Sequence, residues 1–179
     1  MTLAKAKNSK SAGQKICALA RGDRKSKIKI PAFIIVLVVL FFDQLSKFII
    51  INKLSLHQST PIIKGIFHLT LVYNRGAAFG ILKNQIPLFI FTSLVAIILI
   101  YLNYKRNRKK ESFSYNLSLA LILAGALGNL IDRLFLGYVI DFLDFRIWPV
   151  FNIADSAITV GAFLLAFSMF RQDKKHASP

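Results

Sequence analysis

The sequence predicts an all-α membrane protein of four transmembrane helices, with a small β element and a short interfacial helix on the outer side. Three observations carry that prediction. The chain of 179 residues is 55% apolar with a mean hydropathy of +0.54, too hydrophobic for an ordinary soluble domain. Four segments approach the roughly 20 apolar residues that a helical span needs: 31–51, 86–102, 113–131 and 150–170. The basic residues gather in three runs. Of 24 Lys and Arg, nine lie in residues 1–30, five in Lys105–Lys110 and three from Arg171 onward.

Taken in order, residues 1–30 read as a basic, disordered cytoplasmic extension rich in Lys, Ala and Ser, followed by a membrane domain over 31–171 and a cytoplasmic tail over 172–179. With four spans the three basic runs fall on one side. Lys and Arg mark the cytoplasmic side, so both termini are expected on the inner, cytoplasmic side of the membrane. The same placement makes the net charge of +16 a determinant of topology rather than a nucleic-acid footprint. Cys17 is alone, so neither a disulfide framework nor a thiolate cluster can be built. Between the first two spans, "IFHLTLVYN" alternates, with Phe67, Leu69, Leu71 and Tyr73 on one face, as in a half-buried strand. "NRGAAFGILK" follows and reads as a tight turn into a short interfacial helix. Tyr138 and Trp148, between the last two spans, suit an interfacial aromatic belt.

Polar residues intrude on the spans at one depth. At about 1.5 Å per residue, Asp43 and Lys47 lie about 18 and 24 Å from the inner edge, Asn129 and Arg133 about 24 and 30 Å, and Asp155 about 22 Å. Helices running in different directions thus bring their polar groups together in the outer third of the bilayer.

Asp43 and Lys47 share a helix face, as an ion pair requires; the pair either neutralises itself structurally or also fixes the mouth of a site. Asn129 and Arg133 share another face. Arg133 either snorkels to the interface or orients a substrate carbonyl or a neighbouring carboxylate. Asn152 fits an N-cap with Asp155 in the first turn, where the helix dipole favours an acid. Four of the eight acidic residues fall between Asp132 and Asp155. In "YVIDFLDF" two of them, Asp141 and Asp144, sit among apolar neighbours. Burial raises a carboxyl's pKa and a nearby carboxylate raises it further, so two such acids can share one proton. One then serves as general base on a water and the other as general acid. Spacing leaves the partner of Asp141 open among Asp132, Asp144 and Asp155, with Asp144 the weakest choice if the segment is extended. No HExxH occurs, no Gly-x-Ser-x-Gly elbow occurs, and His57 and His68 stand apart.

With those residues in view, the chain resembles the lipoprotein signal peptidases (signal peptidase II), membrane aspartyl proteases of bacteria. "DQLSK" at Asp43–Lys47, "NRGAAFG" at Asn74–Gly80, "GNLIDR" at Gly128–Arg133, "VIDF" at Val139–Phe142 and "FNIADSAITVG" at Phe151–Gly161 appear in the family's order over residues 31–170. The resemblance implies Asp141 and Asp155 as the catalytic pair. It implies supporting roles for Asp43, Lys47, Asn74, Gly76, Asn129, Arg133 and Asn152, and an outer sheet cradle. It further implies a prolipoprotein substrate cut before a diacylglyceryl-modified cysteine, contact with membrane lipid, sensitivity to the cyclic peptide globomycin, and no metal or organic cofactor. The basic extension is longer than usual for the family, Ala124 stands where Gly is common, and the interval from Asp141 to Asp155 is compact. Two other classes compete: a small proton-coupled transporter with its carboxylates as a relay, for which acids should spread through the membrane depth, and a non-catalytic assembly subunit.

Overall fold

The computed structural model describes residues 32–76, 82, 84–107 and 113–176, with side chains through residue 170. The basic extension and the expected interfacial helix around residues 77–81 lie outside the described residues. Within them the order is α1 (Ala32–Lys53), β1 (Ser59–Ile63), β2 (Phe67–Asn74), α2 (Ile86–Asn107), α3 (Phe113–Phe135), β3 (Val139–Asp144) and α4 (Ile153–His176). All four helices are long and apolar enough to cross a membrane. Helices meet that setting because every backbone polar group is satisfied within the segment.

All four helices outrun their apolar windows: α1 continues to Lys53, α2 to Asn107, α3 to Phe135 and α4 to His176. Hydropathy marks the hydrocarbon-soluble part of a helix, whereas Asn52, Lys105 and Arg133 carry on its hydrogen bonding in a polar setting. α4 starts three residues later than its window because Asn152 caps it: Asn152 Oδ1 accepts the Asp155 N–H at 2.9 Å. Before that cap, Phe151 pairs with Leu143 through N–H···O bonds of 2.8 and 3.1 Å. The segment 143–151 is therefore a closed loop that returns the chain from β3 to the head of α4.

Where one strand is read from the sequence, the structure has a three-stranded antiparallel sheet in the order β1-β2-β3. β1 escapes a periodicity reading because it is short and contains Pro61, tolerated on an edge strand. β2 is the central strand, with Leu71 its buried anchor against Ile50, Ile140 and Phe142. The register of β2 on β3 shifts between Leu69 and Val72.

α3 is the axis of the bundle. It packs most closely on α4, then on α1 and α2, and among the helices α2 packs principally on α3. The α3–α4 seam is made of small residues, Ala124, Gly125, Ala154, Ala157 and Gly161. A Cβ at Gly125 would strike the Ala154 carbonyl, and one at Gly161 would come within 2.7 Å of Ile122 Cγ1. Association in lipid relies on such close packing rather than on hydrophobic burial. Phe33, Phe41, Phe48, Phe91, Phe163 and Phe167 point outward, as a lipid-facing surface requires. Gly125→Leu and Gly161→Leu are each expected to lower stability by about 1–3 kcal/mol through overpacking, read as a lowered thermal midpoint in detergent; unchanged midpoints would argue against this seam.

Candidate active site

The site grows from one buried cation. Lys47 is 2% exposed, and its Nζ lies 2.8 Å from Asp43 Oδ2 and 2.8 Å from Asp132 Oδ2. It also donates to Asn129 Oδ1 at 3.3 Å. An ammonium has three donors and no acceptor, so all three N–H bonds are used. Each acid then reaches a further element. Asp43 Oδ1 accepts the Ala154 N–H at 2.8 Å, a bond from α1 to the first turn of α4, where the helix dipole favours negative charge. Asp132 Oδ2 accepts the Ile140 N–H at 3.1 Å, pinning β3 to α3. Gln44 donates from one amide nitrogen to Asp43, Asp132 and the Gly128 carbonyl, at 3.1 to 3.3 Å. Gly128 must be small, since a Cβ there would lie 2.5 Å from Asp43 Oδ2.

Because Lys47 only donates, Asn129 turns its carbonyl oxygen inward and its amide nitrogen toward Asp155 Oδ1, at 2.7 Å. Asn152 is oriented in the same way. Its oxygen is committed to the Asp155 N–H, so its nitrogen faces Asp141 Oδ1 at 2.7 Å and also Asn129 Oδ1 at 3.1 Å. Asn74 donates to Asp141 Oδ2 at 2.9 Å while accepting the Gly76 N–H at 2.9 Å.

Asp141 and Asp155 both line a cavity of about 320 Å³, together with Asn74, Gly76, Asn129 and Arg133. Arg133 turns inward rather than snorkelling. Its guanidinium sits over the Phe89 ring at 4.9 Å from the centroid, and Nη1 donates to the Asn129 carbonyl at 3.4 Å. Burial pushes the Asp141 carboxyl up and the charge of Asp155 pushes it further, against the amides of Asn74 and Asn152 and the charge of Lys47, so it titrates at about 7.

The three possible partners of Asp141 now separate. Asp132 is spent on Lys47, Gln44 and Ile140. Asp144 accepts from Thr70 Oγ1 at 2.7 Å and from Arg146 at 2.8 and 3.1 Å. Burial would raise the Asp144 carboxyl, yet those hydrogen bonds and the Arg146 charge hold it below the usual range. Asp155 alone of the three lines the cavity with Asp141. Sequence reasoning did not single out Gln44 or Phe89, and it assigned Trp148, which lines the cavity, to the interface. Gln44 stands inside "DQLSK" beside Asp43, which was the available signal; Phe89 offered none.

The fold and site define a membrane-embedded helical bundle with two carboxylates facing one polar cavity at the sheet end, the arrangement of an intramembrane hydrolase. The model of the family described as signal peptidase (SPase) II matches residues 35–171, and the chain belongs to that family. It is 50% identical over 142 residues to a lipoprotein signal peptidase of Halothermothrix orenii, covering 79% of this chain and 97% of that one. It is 45% identical over 150 residues to one of Geobacter sulfurreducens, covering 80% and 93%. A bacterial membrane enzyme solved by the in meso method at 2.3 Å superposes with a TM-score of 0.75 at 31% identity, covering 82% of this chain and 91% of that one. The protein is thus a peptidase and a multi-pass membrane protein of bacterial type.

Lys47→Met leaves Asp43 and Asp132 buried without their counter-ion and is expected to cost about 3–5 kcal/mol. Lys47→Arg is expected to recover only part, because its planar fork differs from a point ammonium. Chemical unfolding in detergent measures both, and a Lys47→Met variant as stable as the parent would remove Lys47 from this role.

Proposed function

We propose that the protein removes signal peptides from prolipoproteins as an aspartyl endopeptidase, cutting before the diacylglyceryl-modified cysteine. Asp141 and Asp155 are its catalytic pair. The observation that carries this reading is that these two acids line one cavity while the other buried acids around them are bound to cations. Both carboxylates reach the cavity from rigid elements, β3 and the first turn of α4, as precise acid–base chemistry requires.

In this scheme the pair shares one proton. The ionised member takes a proton from a water, whose oxygen bonds to the scissile carbonyl carbon. The protonated member polarises the carbonyl, and the tetrahedral species collapses as the C–N bond breaks and the amine nitrogen takes a proton from the pair. Asn129 and Asn152 fix the orientations of the two acids, and the Arg133 guanidinium is placed to hold a substrate carbonyl. Asp43, Lys47, Asn74 and Gly76 support the frame. The basic runs put both termini in the cytoplasm and the sheet end at the outer surface. The relay reading finds less support. A second cavity toward the opposite end, between α1, α2 and α3, is lined mainly by apolar side chains such as Phe33, Leu37, Leu40 and Leu123.

Asp141→Asn and Asp155→Asn are each expected to lower turnover of a lipidated preprolipoprotein by about 10³-fold or more, as loss of a residue acting within a catalytic unit does. Normal turnover by either variant refutes the assignment. Inhibition by globomycin is expected alongside.

The working state needs the shared proton, so kcat/KM is expected to fall as pH rises through the upper ionisation, near the value of about 7 for Asp141. Asn74 stabilises the ionised form, so Asn74→Ala is expected to move that limb to higher pH. A limb that stays put or moves lower contradicts the role given to Asp141.

A further inference from the structure

Arg133 reaches the cavity of Asp141 and Asp155 without a carboxylate to hold it. It stands in the last turn of α3, where the helix dipole favours a positive charge. A guanidinium carries five N–H donors in a planar fork and no acceptor. One donor of Arg133 reaches the Asn129 carbonyl at 3.4 Å, and the others have no hydrogen-bond partner among the described residues. The ion pairs of the described residues lie elsewhere: Asp43 and Asp132 are bound to Lys47, and Asp144 to Arg146. Asp141 and Asp155 are held by amides.

What holds Arg133 is a ring. Its Cζ lies over Phe89 at 4.9 Å from the centroid, within the roughly 6 Å over which a ring's quadrupole attracts a cation. Phe89 belongs to the first turn of α2, which its N–H closes on the Gln85 carbonyl at 3.2 Å. Its neighbours Leu88 and Phe91 are exposed, whereas Phe89 lines the cavity together with Arg133. The first turn of α2 thus covers one flat face of a cation borne by the last turn of α3.

The kind of contact matters. A carboxylate in the ring's place would take two N–H groups in a bidentate pair and offset the charge. A ring has no oxygen to offer. It occupies the face of the guanidinium plane and leaves the N–H edge uncommitted. Fixing so flexible a side chain before the substrate arrives also lowers the ordering cost of binding.

We infer that Phe89 is a positioning residue: its ring holds the Arg133 guanidinium so that the uncommitted N–H groups meet carbonyl oxygens of the substrate peptide beside Asp141 and Asp155. The inference rests on the peptidase reading above and adds the residue through which Arg133 is placed.

The test replaces Phe89 in the full-length enzyme with phenylalanines bearing one, two and three ring fluorines. These keep the ring's shape nearly constant while weakening its negative face step by step. kcat/KM for a lipidated preprolipoprotein is expected to fall in the same steps, by roughly tenfold at three fluorines, and Phe89→Leu to lose about as much. A flat series, whatever Phe89→Leu does, means that the ring only fills space and overturns the inference. The same series in an Arg133→Gln background, read by single turnover, is expected to be flat. A gradient that persists there means that the ring acts on the substrate directly and also overturns the inference. Should that background turn over too slowly to read, thermal unfolding in detergent decides. Fluorination is then expected to lower the midpoint stepwise with Arg133 present and not with Arg133→Gln, and equal shifts in both backgrounds overturn the inference. Failure of the peptidase reading shows separately, as cleavage at the normal rate by Asp141→Asn.

Discussion

The ammonium of Lys47 is the constraint on which the rest of the site depends. A charge of this kind inside a membrane bundle is tolerable only when it is paired and fully hydrogen-bonded, and here its three protons go to three oxygens. Its partners are not local decorations. Through Asp43 it reaches the head of α4, through Asp132 the start of β3, and through Asn129 the carboxylate of Asp155. Four elements, α1, α3, β3 and α4, are thus joined at one point by electrostatics. That matters in lipid, where hydrophobic burial contributes little to helix association.

The same cation settles polarity one bond at a time. A donor-only group forces an amide oxygen toward it, which leaves the amide nitrogen facing outward, and a carboxylate is the group that nitrogen suits. Asn129 transmits the orientation in that way to Asp155, and Asn152, fixed by a backbone N–H, transmits it to Asp141. Two acids lining one cavity, one of them fully buried, would ordinarily relax apart or be neutralised by a cation. Here each is held by neutral amides, which fix geometry without supplying counter-charge, and the nearest ammonium is already occupied by two other carboxylates. Burial and the charge of Asp155 therefore keep the Asp141 carboxyl raised to about 7, against the amides and the charge of Lys47.

Much of this was legible in the sequence, and for identifiable reasons. Long apolar segments and their basic flanks report the helices because lipid imposes a length and topogenesis imposes a charge bias. The depth argument for Asp43, Lys47, Asn129 and Asp155 held because rise per residue is nearly invariant in a helix, and hydrogen bonds now join all four in one network. The cap at Asn152 followed from local chemistry alone. Harder to see were β1, which Pro61 disguises, and the choice among Asp132, Asp144 and Asp155. That choice depends on which acids are claimed by Lys47 and Arg146, a matter of tertiary contact that spacing does not encode. Phe89 was missed because nothing in its neighbourhood distinguishes an aromatic residue facing the network from one facing lipid, whereas Gln44 had a signal in its place beside Asp43.

The loop from Leu143 to Phe151 shows how one short segment can reconcile two opposed requirements. The hydrolysis proposed above needs water and a polar wall, and the cavity bounded by Asn74, Asn129 and Arg133 offers one. A prolipoprotein, the substrate proposed above, also needs an apolar approach, and a groove bounded by Ile147 and Val160 is mostly apolar. Trp148 and Phe151 belong to both walls, and Phe151 is hydrogen-bonded to Leu143 on the strand that carries Asp141. The segment that divides the wet side from the oily side is thus tied to one acid through β3 and leads directly into the helix that bears the other. Because Phe151 is hydrogen-bonded to Leu143 and immediately precedes the Asn152 cap, the positions of this segment and of the two carboxylates are set by the same backbone.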